Sequence, residues 1–181
     1  MNTLELDEKL ILRMAEGDNN AFRDLYQQTS SAVYGFALSI LRNRHDAENV
    51  MHDTYLRVHK SAATYKPMGK PMAWILTIVR NLCYTRLKSC DICEDISQYE
   101  ELLHVSDGEQ TVDRMILQTA LDALPFEERQ IVILHALTGM KHREIAELLD
   151  LPVGTVTSKY KRSLAKMRTV IEGKEIGRAH V

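Results

Sequence analysis

Two apolar helical stripes joined by a three-residue turn constrain this chain more than any other feature. In Lys141-His142-Arg143-Glu144-Ile145-Ala146-Glu147-Leu148-Leu149, the positions Ile145, Ala146, Leu148 and Leu149 fall on one face of a helix. Asp150-Leu151-Pro152 makes a tight turn, and a proline suits the first turn of the helix that follows. Val153, Val156, Tyr160, Leu164 and Met167 then recur at spacings of three and four, which predicts an unbroken inner stripe on a second helix. Thr157, Ser158, Lys161 and Arg162 stand opposite that stripe. This is a helix-turn-helix pattern, whose second helix enters the major groove by its N-terminal turns. Hydroxyls and cations there suit base edges and phosphates. A plain helical hairpin would explain the apolar positions equally well. It explains the cationic, acid-free outer face poorly.

Charge is segregated along the rest of the chain. The 181 residues carry 23 Lys and Arg against 25 Asp and Glu, a net charge of -2, which excludes a uniformly basic nucleic-acid coat. Between Arg57 and Lys88 there are seven basic residues and no acid. Between Ser89 and Asp113 there are eight acids and no Lys or Arg. Between Val153 and Arg168 there are five basic residues and again no acid. Solvated helix faces explain single charges but not three consecutive single-sign blocks. Two basic modules thus flank an acidic connector.

The apolar share of 45%, with only 8 Gly and 4 Pro, predicts a mostly helical globular protein. No apolar run approaches the roughly 20 residues that span a bilayer, so no membrane contact is expected. The start lacks a basic, apolar leader, and three Cys without an export signal fit a reducing, cytoplasmic setting. In residues 1–88, Leu6, Leu10 and Met14 predict a first helix ended at Glu16-Gly17-Asp18. Asn19 or Asn20 is a candidate cap for a second helix running to about Leu41, and Asp46 for a third. Pro67, Gly69 and Pro71 predict a loop before a fourth helix from about Met72 to Lys88. Residues 89–111 are the connector, and residues 112–175 a second helical domain with Pro125 and Pro152 at helix starts and Gly139 at a helix end. The final run, residues 176–181, matches one reading frame of a common sequencing adapter and is set aside as a non-native tail.

Both halves resemble a bacterial RNA polymerase sigma factor of the extracytoplasmic-function (ECF) type. Ala21-Phe22-Arg23-Asp24-Leu25-Tyr26 is similar to the opening of that family's region 2. The run from Asp46 to Val58 resembles its core-binding helix, and Ala73-Trp74-Ile75-Leu76-Thr77-Ile78-Val79-Arg80-Asn81-Leu82 its promoter −10 helix. Ala123-Leu124-Pro125, Gly139 and Gly154-Thr155-Val156 resemble region 4. The sequence departs from the family at Asn49, where an acid is usual, at His52, where Gln is usual, and at Pro152, where a Ser often caps the recognition helix.

The resemblance implies an all-α promoter-specificity subunit, not itself an enzyme and without a cofactor. Residues 1–88 would be a region 2 helical bundle and residues 112–175 the region 4 helix-turn-helix. Asp46, Glu48, Asn49, His52, Asp53 and Tyr55 would dock on a basic coiled coil of the polymerase β′ clamp. Tyr65, Lys66, Met68 and Lys70 would take a base flipped from the −10 strand. Arg80, Asn81, Arg86 and Lys88 follow on the fourth helix, with Arg86 and Lys88 on phosphate. Trp74 is either a core residue or an aromatic beside the opened strand, where stacking is worth about 1–3 kcal/mol per base. Thr157, Ser158, Lys161 and Arg162 would read the −35 duplex, with Lys159, Arg143 and Lys141 as phosphate clamps. An anti-sigma factor is implied as a further partner.

The 23-residue connector could reach at most about 75–80 Å, although relaxed it would span only about 26 Å. The resemblance implies that it threads the polymerase RNA channel; a solubilising linker is the alternative. Cys90-Asp91-Ile92-Cys93 has no second C-x-x-C, so a zinc site is not expected. Two other functions stay open at this point: a stand-alone operator-binding regulator, and a thiol or zinc sensor using Cys90 and Cys93.

Overall fold

The computed structural model describes residues 6–90 and 112–178. Cys93, the connector from residue 91 and the end of the tail lie outside the described residues. Within them the chain is helical: α1 (Lys9–Ala15), α2 (Asn19–Leu41), α3 (Arg44–Ser61), a 3-10 turn (Ala62–Thr64), α4 (Pro71–Cys90), α5 (Val112–Asp122), α6 (Phe126–Thr138), α7 (His142–Leu149) and α8 (Val153–Arg178).

The breaks fall where the turn residues are, but two caps differ from expectation. Asp18, not Asn19 or Asn20, caps α2, accepting from the N–H groups of Asn20 (2.9 Å) and Ala21 (3.3 Å). Asn43, not Asp46, caps α3, accepting from Asp46 N–H at 3.0 Å. Each true cap has extended backbone with its side-chain oxygen over the first turn, the geometry a cap requires. Asp46 lies inside the first turn of α3, where its carboxylate meets Arg86 on α4.

Helices α1–α4 form the first module around Ile11, Leu25, Val33, Phe36, Val58, Ile75 and Leu76, all fully buried. Helices α5–α8 form the second. The modules share one contiguous apolar core, in which Ile131 and Leu134 of α6 and Ile145 of α7 join the α1–α4 residues. α6 lies along α2, where Gly35 lets the helices approach: a Cβ there would collide with Leu137. A smaller cluster of Ala120, Leu124, Val132 and Met167 ties α5 and α6 to α8.

The inner stripe of α8 differs from the expected one. Val156 and Met167 are buried, but Val153 and Leu164 are about half exposed (46% and 45%), and Ser163 is fully buried. The stripe therefore runs through 156, 160, 163 and 167, an equally good helical spacing. The reason is chemical. Ser163 Oγ shares its one proton between Lys159 C=O (2.8 Å) and the carboxylate of Glu128 (3.4 Å), an acid buried in the α6–α8 seam. A leucine facing that acid would take away a polar neighbour and leave its charge less satisfied.

Candidate nucleic-acid interface

On α8 the turns above the core present the expected outer face. Ser158, Lys161 and Arg162 are exposed and Thr157 is half-buried. Thr157 Oγ1 donates to Val153 C=O at 3.0 Å and lies 3.2 Å from His142 Nδ1. The single hydroxyl proton being so used, Thr157 accepts from the imidazole N–H. His142 opens α7 and packs its ring with His135 and Tyr160, centroids 5.3 and 5.0 Å away. Burial, His135 and Lys161 together hold its pKa below the ordinary histidine value. Neither histidine stood out in the sequence; the signal available was His142 at the first position of the helix preceding the recognition helix.

The other cations divide into two groups. Arg143 is open, its side chain 83% exposed with Glu147 at 3.5 Å, and Lys141 is exposed beside it. Lys159 instead pairs with Glu127 of α6 and is mostly covered. Lys166 pairs with the buried Glu128 at 2.9 Å, and Arg162 reaches the same carboxylate only at 4.0 Å, remaining largely in solvent.

In the first module, the loop between the 3-10 turn and α4 is exposed from Lys66 to Lys70, and Met68 is 77% exposed. Gly69 takes a left-handed φ of +69°, which favours glycine. The Tyr65 ring packs against Trp74, centroids 4.7 Å apart, so Trp74 is half-buried yet still lines the cleft beside the loop. That cleft, about 560 Å³, is walled by Tyr65, Lys66, Met68, Lys70 and Trp74 on one side and by Glu144 and Glu147 of α7 on the other. Lys70 Nζ meets Glu147 at 2.8 Å, an ion pair between the modules. Behind the loop, Glu8 Oε1 accepts from Tyr65 Oη (2.5 Å), Met68 N–H (2.9 Å) and Gly69 N–H (3.1 Å). Glu8 is a residue that sequence reasoning missed, since nothing local marks a contact across some sixty positions. On α4, Asn81 and Lys88 are exposed, Arg80 is half-buried over the Tyr84 ring (5.2 Å), and Arg86 is bound to Asp46 at 2.6 Å.

The expected polymerase-facing residues split as well. Glu48, His52 and Asp53 are exposed on α3 and Asn49 is half-buried. Tyr55 is 3% exposed, its hydroxyl 2.7 Å from Thr29, so it is a core residue and not part of a docking face. Its hydroxyl pKa is pushed up to about 12 by burial. Leu56, 47% exposed beside Asp53, is the apolar residue of that face that the sequence reading did not name.

Among the described residues no group of three or more His, Cys, Asp or Glu side chains is placed to hold a metal, and no helix is long and apolar enough to cross a membrane.

Comparison with known proteins adds the family. The family model "Sigma-70 region 2" matches residues 13–91, and "Sigma-70, region 4" matches residues 114–167. The chain is 29% identical to the ECF RNA polymerase sigma factor SigK of Mycobacterium sp. (strain KMS), covering 93% of this chain and 92% of that protein. It is 24% identical to the ECF RNA polymerase sigma factor SigW of Bacillus subtilis (strain 168), covering 89% and 94%. Among solved structures, it shares its fold with the sigma factor RpoE of Bartonella quintana in complex with the anti-sigma factor NepR (TM-score 0.68, 19% identity, 83% of this chain and 98% of that one). It also shares it with CnrH in complex with the cytosolic domain of CnrY (TM-score 0.65, 22% identity, 92% and 97%). With both regions matched in order, and with full-length ECF relatives, the chain belongs to the sigma-70 family of RNA polymerase sigma factors, in its ECF group.

Proposed function

We propose a division of labour between the modules of this sigma factor, which directs promoter-specific transcription initiation. The second module, residues 112–175, reads the −35 duplex through Thr157, Ser158, Lys161 and Arg162, with Lys141 and Arg143 on flanking phosphates. The observation that carries this is the outer face of α8: its open cations stand on a helix whose opposite face is fixed in the core. Lys159 shapes the helix through Glu127 and is not a phosphate clamp. The first module, residues 1–88, takes the opened −10 strand in the cleft of Tyr65, Lys66, Met68 and Trp74. Asn81 and Lys88 extend that track along α4. Flipping a base costs a few kcal/mol, and an open cleft on a small module needs polymerase to supply it.

Glu48, His52, Asp53 and Leu56 on α3 face the polymerase β′ clamp. Asp46 orients α3 against α4 through Arg86. Residues 89–111 tether the two modules, which raises the effective concentration of one once the other is bound. An anti-sigma factor is the regulatory partner, a reading supported by the RpoE–NepR complex with which the fold is shared. The protein acts in the cytoplasm, has no catalytic residue of its own, and residues 176–181 play no part.

Run-off transcription from the protein's own upstream region tests the assignment. Purified core polymerase with this chain should give transcripts that neither gives alone. Specific duplex binding by this chain alone, with no polymerase-dependent transcript, would overturn the first module's role.

A further inference from the structure

We infer that Glu8 is the positioning residue of the −10 loop: its carboxylate, held behind the loop, sets the shape in which Tyr65 and Met68 meet the single strand. The inference rests on the reading of residues 65–70 as the strand site.

Four observations carry it. First, the Glu8 side chain has no role in its own helix, which the residue joins only through its backbone C=O, accepting from Ile11 and Leu12 N–H. It makes no cap hydrogen bond to α1, and the oxygen that does reach the α1 backbone, on Lys9 N–H at 2.9 Å, belongs to Asp7. Second, a single oxygen, Oε1, collects all three donors, and these span the loop from Tyr65 to Gly69. Third, the loop has few means of holding itself. Pro67 and Pro71 bring no N–H, and Gly69 is in a left-handed conformation that a free chain would leave readily. Fourth, Glu8 is absent from the cleft wall on which Tyr65, Lys66, Met68 and Trp74 stand, and lines with Gly69 a neighbouring cavity that meets the cleft at Lys70, Ala73 and Glu144. Standing off that wall, Glu8 organises the loop without adding to the Glu144 and Glu147 carboxylates that already face the cleft.

Tyr65 is consequently fixed from two directions, its ring by Trp74 and its hydroxyl by Glu8. The hydrogen bonds from Tyr65, Met68 and Gly69 hold the Glu8 carboxyl below the ordinary glutamate range, so the acceptor is ionised throughout the neutral range. Without it the strand must order the loop as it binds, and that conformational entropy comes out of the affinity.

The test uses holoenzyme reconstituted from core polymerase and full-length chain. The probe is a fluorescent oligonucleotide carrying the non-template −10 strand of the promoter mapped by run-off. Glu8→Ala should weaken oligonucleotide binding by about tenfold, with affinity for core polymerase and thermal midpoint unchanged. Glu8→Gln keeps an acceptor oxygen at the same reach and should remain within about threefold of the parent. Met68→Ala reports on the loop itself. If it and Lys66→Ala both leave oligonucleotide binding unchanged, the loop is not the strand site and the inference falls with that reading. If Met68→Ala weakens binding and Glu8→Ala does not, the loop reading stands and the Glu8 inference alone is wrong. If Glu8→Ala lowers core affinity or the thermal midpoint as much as strand binding, Glu8 supports the fold and positions nothing.

Discussion

The outer face of α8 and the loop at residues 65–70 both present cations to a nucleic acid, yet they are built in opposite ways. The α8 face is a single stretch of chain whose geometry is guaranteed by the helix beneath it. The loop is assembled from distant pieces: Glu8 behind it, Trp74 beside it and Glu147 of the other module in front. A site on a rigid element tolerates removal of a neighbour, and a site on a loop depends on its supports. The two also use charge differently. Acid-free in sequence, the α8 block is not acid-free in space, because Glu127 and Glu128 of α6 lie against it and engage Lys159 and Lys166. Only Lys161 and Arg162 remain for DNA on its central turns.

The largest expected effect tests that division. Lys161→Ala with Arg162→Ala should lower −35-dependent run-off transcription by about 10- to 100-fold, the range expected when a base-edge hydrogen-bond pair and its flanking phosphate grip are removed. In duplex titrations against salt, every phosphate that the variant no longer neutralises should flatten the log–log slope by about 0.9. Lys159→Ala should leave that slope as it was. A slope reduced equally by Lys159→Ala would mean that the Glu127 pair opens on DNA and that α8 has no internal reserve of charge.

Next in size is the seam under the same face. Glu128 is 6% exposed and takes Lys166 at 2.9 Å with Ser163 close by. Glu128→Ala removes the partner of Lys166, which is half exposed, while Ser163 keeps Lys159 C=O, at a cost of about 1 kcal/mol, or about 2–4 °C in thermal midpoint for a chain of this size. A midpoint unchanged in calorimetry would show that the seam is held by Val132 and Met167 alone.

A pH effect follows from His142. Its folded pKa lies below the ordinary value of 6.5, so the unfolded chain binds the proton more readily than the folded one. Stability is therefore level above about pH 6.5 and declines as pH falls from there toward the lowered folded value. His142→Gln should flatten the thermal midpoint over that window. A profile as steep in the variant as in the parent would assign the effect to another group.

What could be read from sequence divides along the same line as the two sites. The helices, the breaks at Gly17, Gly139 and Asp150, and the outer face of α8 are legible because each depends on residues within a few positions of one another. The features that escape such reading are non-local. Periodicity draws the stripe of α8 through Leu164 because leucine is the more apolar of two adjacent candidates. Only the buried Glu128 on another helix explains why Ser163 faces inward. The family resemblance puts Tyr55 in the docking face, whereas its spacing with Val50 and Val58 puts it on the buried side of α3, where Thr29 supplies its hydroxyl with a partner. Glu8 and His142 act across loops or turns that no periodicity reports. The cap shifts to Asp18 and Asn43 are the ordinary ambiguity of adjacent polar residues.

The smallest expected effect concerns how the two sites are held together. The Lys70–Glu147 pair closes the cleft from the side of α7, but both side chains are about half exposed (45% and 52%). Exposed pairs of this kind are screened by salt and contribute little. The α2–α6 contact is apolar, and its closeness depends on Gly35 beside Leu137. The Glu147 carboxyl is held below its ordinary value by Lys70 and then Arg143, so whatever the pair contributes is present above about pH 4.5 and disappears only as pH falls through the lowered folded value. With donor and acceptor dyes on the two modules, Glu147→Gln at physiological salt should leave the distance distribution of the free protein unchanged. Gly35→Leu should broaden it toward longer distances, because Leu137 can turn aside for a methyl group but not for an isobutyl one. If Glu147→Gln separates the modules while Gly35→Leu does not, the cleft is closed by charge, and promoter DNA, which competes for Lys70, would itself be the agent that opens it.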